Sequence, residues 1–193
     1  FEDNRSKEEG GVFYIKGNAI DQQTQVFLND CLFIGNRTQI SGGAIMVTQN
    51  ATVVLEECNF DSNIADDSGG AILLIGKQEA IATVSIHNTK FSNNRAQIRG
   101  GAIAQKRYAH LEIQTCRFDG NSSDRDSGGA IAMDGKGGKV LTTSILQDSV
   151  FVENRCRVDG GAINANLNTD VLFEDCRFDS NAAEDNSGGA IVI

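Results

Sequence analysis

Short stretches in which every second residue is apolar recur along the chain, and each is followed by a break in that alternation. In one copy the apolar residues are Val53 and Leu55, then Cys58 and Phe60 after a spacing of three. A spacing of two points side chains to one face of a strand, whereas the spacing of three requires a bend. A Gly-Gly pair followed by Ala-Ile, here beginning at Gly69, indicates a third strand. The pattern predicts three short strands per copy and no helix.

One motif of this pattern recurs seven times, with spacings of 27 to 33 residues from one Phe to the next. Each copy contains Phe-x-x-Asn, followed nine or ten residues after the Phe by Gly-Gly. The motif positions are Phe1 and Asn4, Phe33 and Asn36, Phe60 and Asn63, Phe91 and Asn94, Phe118 and Asn121, Phe151 and Asn154, and Phe178 and Asn181. Such a period indicates a solenoid, because a propeller blade needs about 40 residues. The sequence therefore predicts an all-β fold, a right-handed parallel β-helix of about seven coils, over residues 1–193 as a single segment.

Equivalent residues of successive coils stack about 4.8 Å apart in a parallel β-helix. We therefore expect the seven phenylalanines to form an internal aromatic ladder. The asparagines suit a corner, since this side chain tolerates left-handed backbone and bonds to local main chain. A second ladder of asparagines and a row of solvent-facing turn residues are the two alternatives for that position. The glycine pairs suit another corner, where positive φ or a close backbone approach excludes a Cβ.

Four of the five cysteines occupy one position of the repeat, which Thr89 and Ser149 fill in other coils; they are Cys31, Cys58, Cys116 and Cys176. A position that accepts Cys, Ser or Thr requires a small buried side chain rather than a metal ligand or a nucleophile. Cys156 likewise replaces small residues of the other coils. Cys31 and Cys58 fall on neighbouring rungs, within reach of a disulfide. Buried thiols and a disulfide are the two interpretations of that pair.

A second period of 58 or 60 residues shows that short and long coils alternate. Arg follows the ladder Asn in the short coils, and Asp follows the ladder Phe in the long coils. One interpretation is a charge row in which an Arg lies over an Asp of the next coil. The other is two solvated sets of charges that never meet. The residues of this candidate row are Arg37, Asp61, Arg95, Asp119, Arg155 and Asp179.

The extra residues of the long coils are 14–25, 76–83 and 134–144, and they carry Lys16, Lys77, Lys136 and Lys139. They follow the Ala-Ile strand, so we expect them to protrude from one edge of the rod. Loops on one edge of a solenoid are common binding sites. This long-loop edge is either the site of a protein or glycan partner or an inert decoration.

Composition restricts the partners of the chain. A net charge of -9 without a basic cluster argues against nucleic acid, and no apolar run is long enough to span a membrane. Sequons at Asn36, Asn50 and Asn121 are candidate glycosylation sites of a secreted protein, although Asn36 and Asn121 are also ladder positions.

Both ends of the chain fall inside a repeat, so we expect the chain to be an interior window of a longer array, continued by further coils or by other copies of itself.

Phe-x-x-Asn and Gly-Gly-Ala-Ile at a fixed offset resemble the repeats of the polymorphic outer-membrane proteins of chlamydiae, which are autotransporters. The similarity covers essentially the whole chain. It implies a right-handed parallel β-helix of the pectin-lyase-like superfamily, at a cell surface and with a role in adhesion. The regular double coil and the absence of Trp and Pro depart from those irregular passengers.

Fold analogy also suggests the hypothesis that the chain is an enzyme, because pectate lyases are β-helices. Catalysis needs unlike groups that converge on one substrate, whereas the carboxylates here recur by register. The two histidines, His87 and His110, have no motif-linked partner, and the acidic runs lack the glycine-rich nonapeptide of calcium-binding β-rolls. We therefore expect no catalytic residue, no metal site and no cofactor.

The predicted function is a non-enzymatic extracellular structural repeat, either a rigid stalk or scaffold or the subunit of a filament. The alternative is an adhesin or autotransporter passenger that binds a surface partner. A polysaccharide lyase or hydrolase is the least favoured hypothesis.

Overall fold

The computed structural model describes residues 1–17, 23–135 and 142–193. Its strands form a right-handed parallel β-helix in which every strand pairs with its counterpart one coil along. Among the described residues, two sheets hold seven strands and two hold six, which makes about six turns. Each coil passes through the sheets in a constant order, here named sheets I to IV.

Sheet I carries the ladder phenylalanines and sheet II directly follows the ladder asparagines. The strands of sheet I are Leu32–Ile34, Asn59–Asp61, Lys90–Ser92, Arg117–Asp119, Val150–Val152 and Arg177–Asp179. Those of sheet II are Arg5–Ser6, Arg37–Thr38, Ile64–Ala65, Arg95–Ala96, Ser122–Ser123, Arg155–Cys156 and Ala182–Ala183.

Sheet III follows the glycine pairs, and sheet IV contains the longest strands. The strands of sheet III are Phe13–Lys16, Ile45–Thr48, Ile72–Ile75, Ile103–Lys106, Ile131–Asp134, Ile163–Asn166 and Ile191–Val192. Those of sheet IV are Thr24–Asn29, Ala51–Glu56, Ala82–His87, Ala109–Gln114, Thr142–Gln147 and Thr169–Glu174.

A complete coil thus has four strands, and the prediction of three was wrong. The additional strand is the two-residue strand of sheet II, as in Arg37–Thr38, which pairs with Ile64–Ala65. Two residues are too few for an alternation of apolar and polar positions to be recognised. The other three strands coincide with the predicted apolar pair, the Phe segment and the Ala-Ile segment.

The core lies inside the coils and is built from repeated rows. Strands of sheets III and IV alternate their side chains, so Val53, Leu55 and Ile45 point inward and are fully buried. A second, smaller apolar cluster lies on the opposite face of sheet III, where Met46 and Leu73 are also buried. Among the described residues, no helix is long and apolar enough to cross a membrane.

The glycine pairs form the corner between sheets II and III for two different reasons. The first glycine of each pair has a positive φ, as at Gly100 with +65°. Residues other than glycine adopt this backbone conformation only at a cost in free energy. The second glycine faces the next coil: a Cβ on Gly101 would lie 2.1 Å from the carbonyl oxygen of Gly129. Both positions therefore exclude a side chain, and the pair repeats unchanged.

Candidate functional site

The aromatic row is continuous along the rod. Successive phenylalanine rings stack with centroids 4.5 to 4.9 Å apart and interplanar angles between 2° and 17°. The five inner members are fully buried. The register of sheet I, with Phe60 opposite both Phe33 and Phe91, produces this stacking. The row is a structural element of the core and presents no polar atom for chemistry.

The asparagine row forms a hydrogen-bonded ladder inside the adjoining corner. Asn63 donates through Nδ2 to Asn94 Oδ1 at 2.9 Å and to the carbonyl oxygen of Phe33 at 2.9 Å. Its own Oδ1 accepts from the backbone N–H and the Nδ2 of Asn36, at 3.1 and 2.9 Å. The left-handed backbone of this corner belongs to the preceding residue, as at Ser62 with φ 57°. The ladder asparagine therefore supplies hydrogen bonds, and its neighbour makes the turn.

Burial of the ladder excludes two of the three predicted glycosylation sites in the folded chain. Asn36 and Asn121 are fully buried, and both side-chain amides are used in the ladder, so that interpretation was wrong. Asn50 lies instead in a two-residue turn between Ile45–Thr48 and Ala51–Glu56, half-buried and with φ 54°. Asn50 stays a predicted glycosylation site.

All five cysteines are free thiols. Cys58 and Cys116 are buried, and Cys116 Sγ donates to the carbonyl oxygens of Gln114 and Ile86 at 3.2 and 3.5 Å. Burial raises the pKa of Cys116 to about 12, and it raises the pKa of Cys156 to about 11. Because the thiolate is the nucleophile, these two thiols are inert near neutral pH.

The predicted charge row does not form as expected. Arg37 Nη2 lies 3.1 Å from Asp66 Oδ1 rather than beside Asp61, and Arg95 pairs with Asp124 at 2.8 Å. The reason is the register: Arg37 stacks on Ile64 in sheet II, whereas Asp61 belongs to sheet I.

The acidic members of the candidate row have other partners. Asp61 accepts hydrogen bonds from Ser92 and Asn93. Asp119 and Asp179 pair with arginines two residues before them, Arg117 and Arg177 at 2.9 and 3.0 Å. At the third double coil, Arg157 rather than Arg155 makes the pair to the next coil, with Asp185 at 2.8 Å. The spacing of 29 residues in Arg37–Asp66 and Arg95–Asp124 was the sequence signal for the true pairs.

One coil departs from the others, which the sequence analysis missed. Arg99 precedes its glycine pair, where the other Ala-Ile coils have serine or aspartate. Its guanidinium lies 2.6 Å from Asp126 and 3.1 Å from Asp134, and Lys106 Nζ lies 3.8 Å from Asp67. The ion pairs join three successive coils on the outside of sheet III. Aligning the residues before each Gly-Gly pair would have found Arg99.

A polar pair inside the core joins the same coil to the next one. Gln105 occupies an inward row that Val47, Leu74 and Met133 fill elsewhere, and it is 1% exposed. Its Oε1 accepts from Ser144 Oγ at 2.5 Å. Its Nε2 donates to the carbonyl oxygens of Ala109 and Thr143 at 3.0 and 2.9 Å. The side-chain polar atoms of both residues have hydrogen-bond partners inside the core, so the pair offers no free group to a ligand.

Of the three loops on the long-loop edge, the one at residues 76–83 lies entirely within the described residues. There Lys77 and Ala80 close a tight turn with two backbone hydrogen bonds of 3.0 Å, between the strands Ile72–Ile75 and Ala82–His87. Lys16 ends a strand of sheet III and is exposed. Lys136 and Lys139 lie outside the described residues.

The histidines and acids do not converge. His110 lies on the outer face of sheet IV, with Nδ1 2.7 Å from Thr143 Oγ1, in a shallow groove that Asp170 also lines. His87 ends the preceding strand of that sheet. Within the described part of the chain, no group of three His, Cys, Asp or Glu side chains is placed to hold a metal ion. Among the described residues, this outer face of sheet IV offers a shallow groove.

This geometry defines a parallel β-helix of regular coils. The chain belongs to the family described as a right handed beta helix region, whose model matches residues 10–193. That family contains both enzymes and proteins without catalysis, so membership alone does not decide the activity. Neither the curated proteins nor the solved structures contain a match to this chain.

Proposed function

We propose that this chain is a rigid, non-enzymatic scaffold that acts outside the cell, at a cell surface or after secretion. The observation that carries the proposal is the continuity of the two buried ladders. Every inner phenylalanine and asparagine contacts its counterparts on both sides. Bending the rod would separate stacked rings and break buried hydrogen bonds, which cost about 1–3 kcal/mol for each group left without a partner.

The coil that contains Arg99 and Lys106, here called the charged coil, supports the absence of catalysis in this proposal. Arg99 and Lys106 of the charged coil are each already paired with a carboxylate, as is Arg95 of the same coil. A catalytic cation has to be available to a substrate, and a general base has to accept a proton from it. Here the opposite charges neutralise one another across coils.

A cleavage assay tests this part. The folded chain is incubated with a panel of neutral and acidic polysaccharides, with and without Ca²⁺, and the products are separated by size. We expect no turnover from the parent chain or from the Arg99→Ala and Asp134→Asn variants. Turnover by the parent that either substitution abolishes would show that the charged coil is an active site.

The extracellular location is supported by the sequon at Asn50, which lies in a turn. Antibody labelling of intact and of permeabilised cells of the source organism tests it. Equal labelling of both supports a surface location, and labelling only after permeabilisation contradicts it. Mass spectrometry of the native protein shows whether Asn50 carries a glycan.

An adhesin is the second candidate, and two observations favour it. Phe27 and Leu172 are exposed to 69% and 48% on the outer face of sheet IV, and each lies beside a half-buried apolar residue of the neighbouring strand, Val54 and Ile145. Contiguous apolar surface indicates contact with a partner more than single apolar residues do. The resemblance to chlamydial surface proteins points in the same direction. Saturable binding of the chain to cells or to a glycan array, lost in the double variant Phe27→Ser and Leu172→Ser, would favour an adhesin over a stalk. Sedimentation of the natural protein at increasing concentration separates a stalk, which stays monomeric, from a filament subunit, which assembles.

A further inference from the structure

Among the cysteines, one pair occupies equivalent positions of two neighbouring coils. The cysteine row runs Cys31, Cys58, Thr89, Cys116, Ser149 and Cys176. Thr89 and Ser149 separate the later members, and Cys156 belongs to a different row, in sheet II. Cys31 and Cys58 alone face each other across a single coil step.

The backbone holds these two residues in register. Asn29 pairs with Glu56 before them, Leu32 pairs with Asn59 after them, and the Asn59 N–H donates to the Cys31 carbonyl oxygen at 2.9 Å. Neighbouring strands lie about 4.8 Å apart, and disulfides join Cα atoms about 4.4 to 6.8 Å apart. The register therefore brings the Cα atoms of the two residues within the range that a disulfide joins.

The two thiols also point in the same direction. Cys31 Sγ donates to the Asn29 carbonyl oxygen at 3.4 Å, and Cys58 Sγ donates to the Glu56 carbonyl oxygen at 3.3 Å. Burial raises the pKa of the Cys58 thiol, and the neighbouring Cys31 thiol raises it further. Cys31 is half-buried, whereas Cys58 is 3% exposed.

We propose that Cys31 and Cys58 are an oxidation site, at which a disulfide oxidant such as glutathione disulfide links two neighbouring coils covalently. The more accessible Cys31 loses its proton and attacks the oxidant, which releases one glutathione thiolate and forms a mixed disulfide. Cys58 then loses its proton and attacks Cys31 Sγ, which releases the second glutathione. Two electrons and two protons pass to glutathione disulfide, which becomes two molecules of glutathione. This chemistry does not depend on the proposed scaffold function.

The test incubates the folded chain with glutathione disulfide at pH 8, blocks remaining thiols with iodoacetamide and maps the peptides by mass spectrometry. We expect one intramolecular disulfide, between Cys31 and Cys58, that dithiothreitol reverses. Cys116 and Cys156 should stay unlinked, because burial suppresses their thiolates. Circular dichroism before and after oxidation verifies that the β-structure is retained.

Two variants make the result specific. Cys58→Ser removes the resolving thiol and should stop the reaction at the mixed disulfide of Cys31; the substitution suits the site because Ser149 occupies the same row. Cys116→Ser is the matched control and should leave the Cys31–Cys58 bond unchanged. A parent chain in which Cys31 remains a mixed disulfide, or in which Cys31 and Cys58 both stay free or are linked elsewhere, would overturn the proposal.

Discussion

The buried corner that holds the two ladders and the charged outer surface run along the same coils, but they repeat differently. The asparagine bond recurs at every coil step, from Asn36 to Asn63 and from Asn63 to Asn94. The surface ion pairs recur at every second coil, as in Arg37–Asp66, and change to another arginine at the third double coil. The ladder corner thus permits one arrangement of hydrogen-bond partners, whereas the surface permits several arrangements of ion pairs.

The difference follows from solvent. A buried amide that loses its partner has no water to replace it, so every coil has to provide the same group in the same place. An exposed arginine is hydrated with or without its carboxylate, and an exposed pair contributes only about 0.2 to 1 kcal/mol. Four experiments test this contrast, from the most severe expected effect to the mildest.

Gly101→Ala should be the most destabilising change, because the new Cβ would lie 2.1 Å from the Gly129 carbonyl oxygen of the next coil. Backbone has to move to relieve that contact, so we expect a loss of about 4 kcal/mol or more in the free energy of unfolding. Gly189→Ala is the matched control, since its Cβ would meet the nearest backbone oxygen, that of Asn181, at 3.4 Å. Urea denaturation measures both, and equal losses would show that coil-to-coil contact is not the cause.

Asn94→Ala should cost about 3 kcal/mol or more, because it leaves several buried groups without partners. Asn94 accepts from the backbone N–H and the Nδ2 of Asn63, and it donates to Asn121 Oδ1 and the Phe60 carbonyl oxygen. Asn181→Ala is the control: Asn181 is only partly buried, and the described contacts bond it to the preceding coils alone. A loss no larger than that of the control would contradict a ladder bonded on both sides.

Gln105→Leu and Ser144→Val test whether the interior accepts polar groups only in matched pairs. Each single change leaves a buried polar group without its partner and should cost about 1 to 3 kcal/mol. The double variant restores the apolar residues found at Leu74 and Val84 and should recover most of that loss. A double-mutant cycle on thermal unfolding measures the coupling, and strictly additive losses would contradict it.

Arg95→Ala should have the smallest effect, a loss of about 0.2 to 1 kcal/mol that decreases with added salt. Its partner Asp124 is exposed enough to be hydrated once the arginine is removed. Chemical denaturation at low and at high salt measures the change. A loss comparable to that of Asn94→Ala would remove the contrast between surface and interior.

Much of this molecule follows from spacing in the sequence. The alternation around Val53 and Leu55 predicts the strands of sheet IV, and the recurrence of Phe-x-x-Asn and Gly-Gly predicts a solenoid. Both signals depend on period alone, and the strands of a parallel β-helix pair with their own repeats. Spacing did not predict the strand Arg37–Thr38, because a strand of two residues has no period.

The candidate site was less predictable, because charges on a surface are paired by distance rather than by motif. Arg37 follows the ladder Asn as the sequence shows, yet its partner is Asp66 and not Asp61, since a corner separates sheets I and II. Asn36 carries a valid sequon that burial makes unavailable. Gln105 and Ser144, 39 residues apart, become partners only because the coils place their rows side by side.

The sequence by itself determined the β-helix and the rows of phenylalanine, asparagine and glycine positions, because a repeated interior admits only residues that match their own copies. The tertiary structure decided which charges pair and which cysteines face each other. Those contacts that cross from one coil to the next join residues 27 to 39 positions apart, and their distances depend on where each corner turns the chain. A periodic core can be inferred from its period, whereas a surface contact exists only once the coils are stacked.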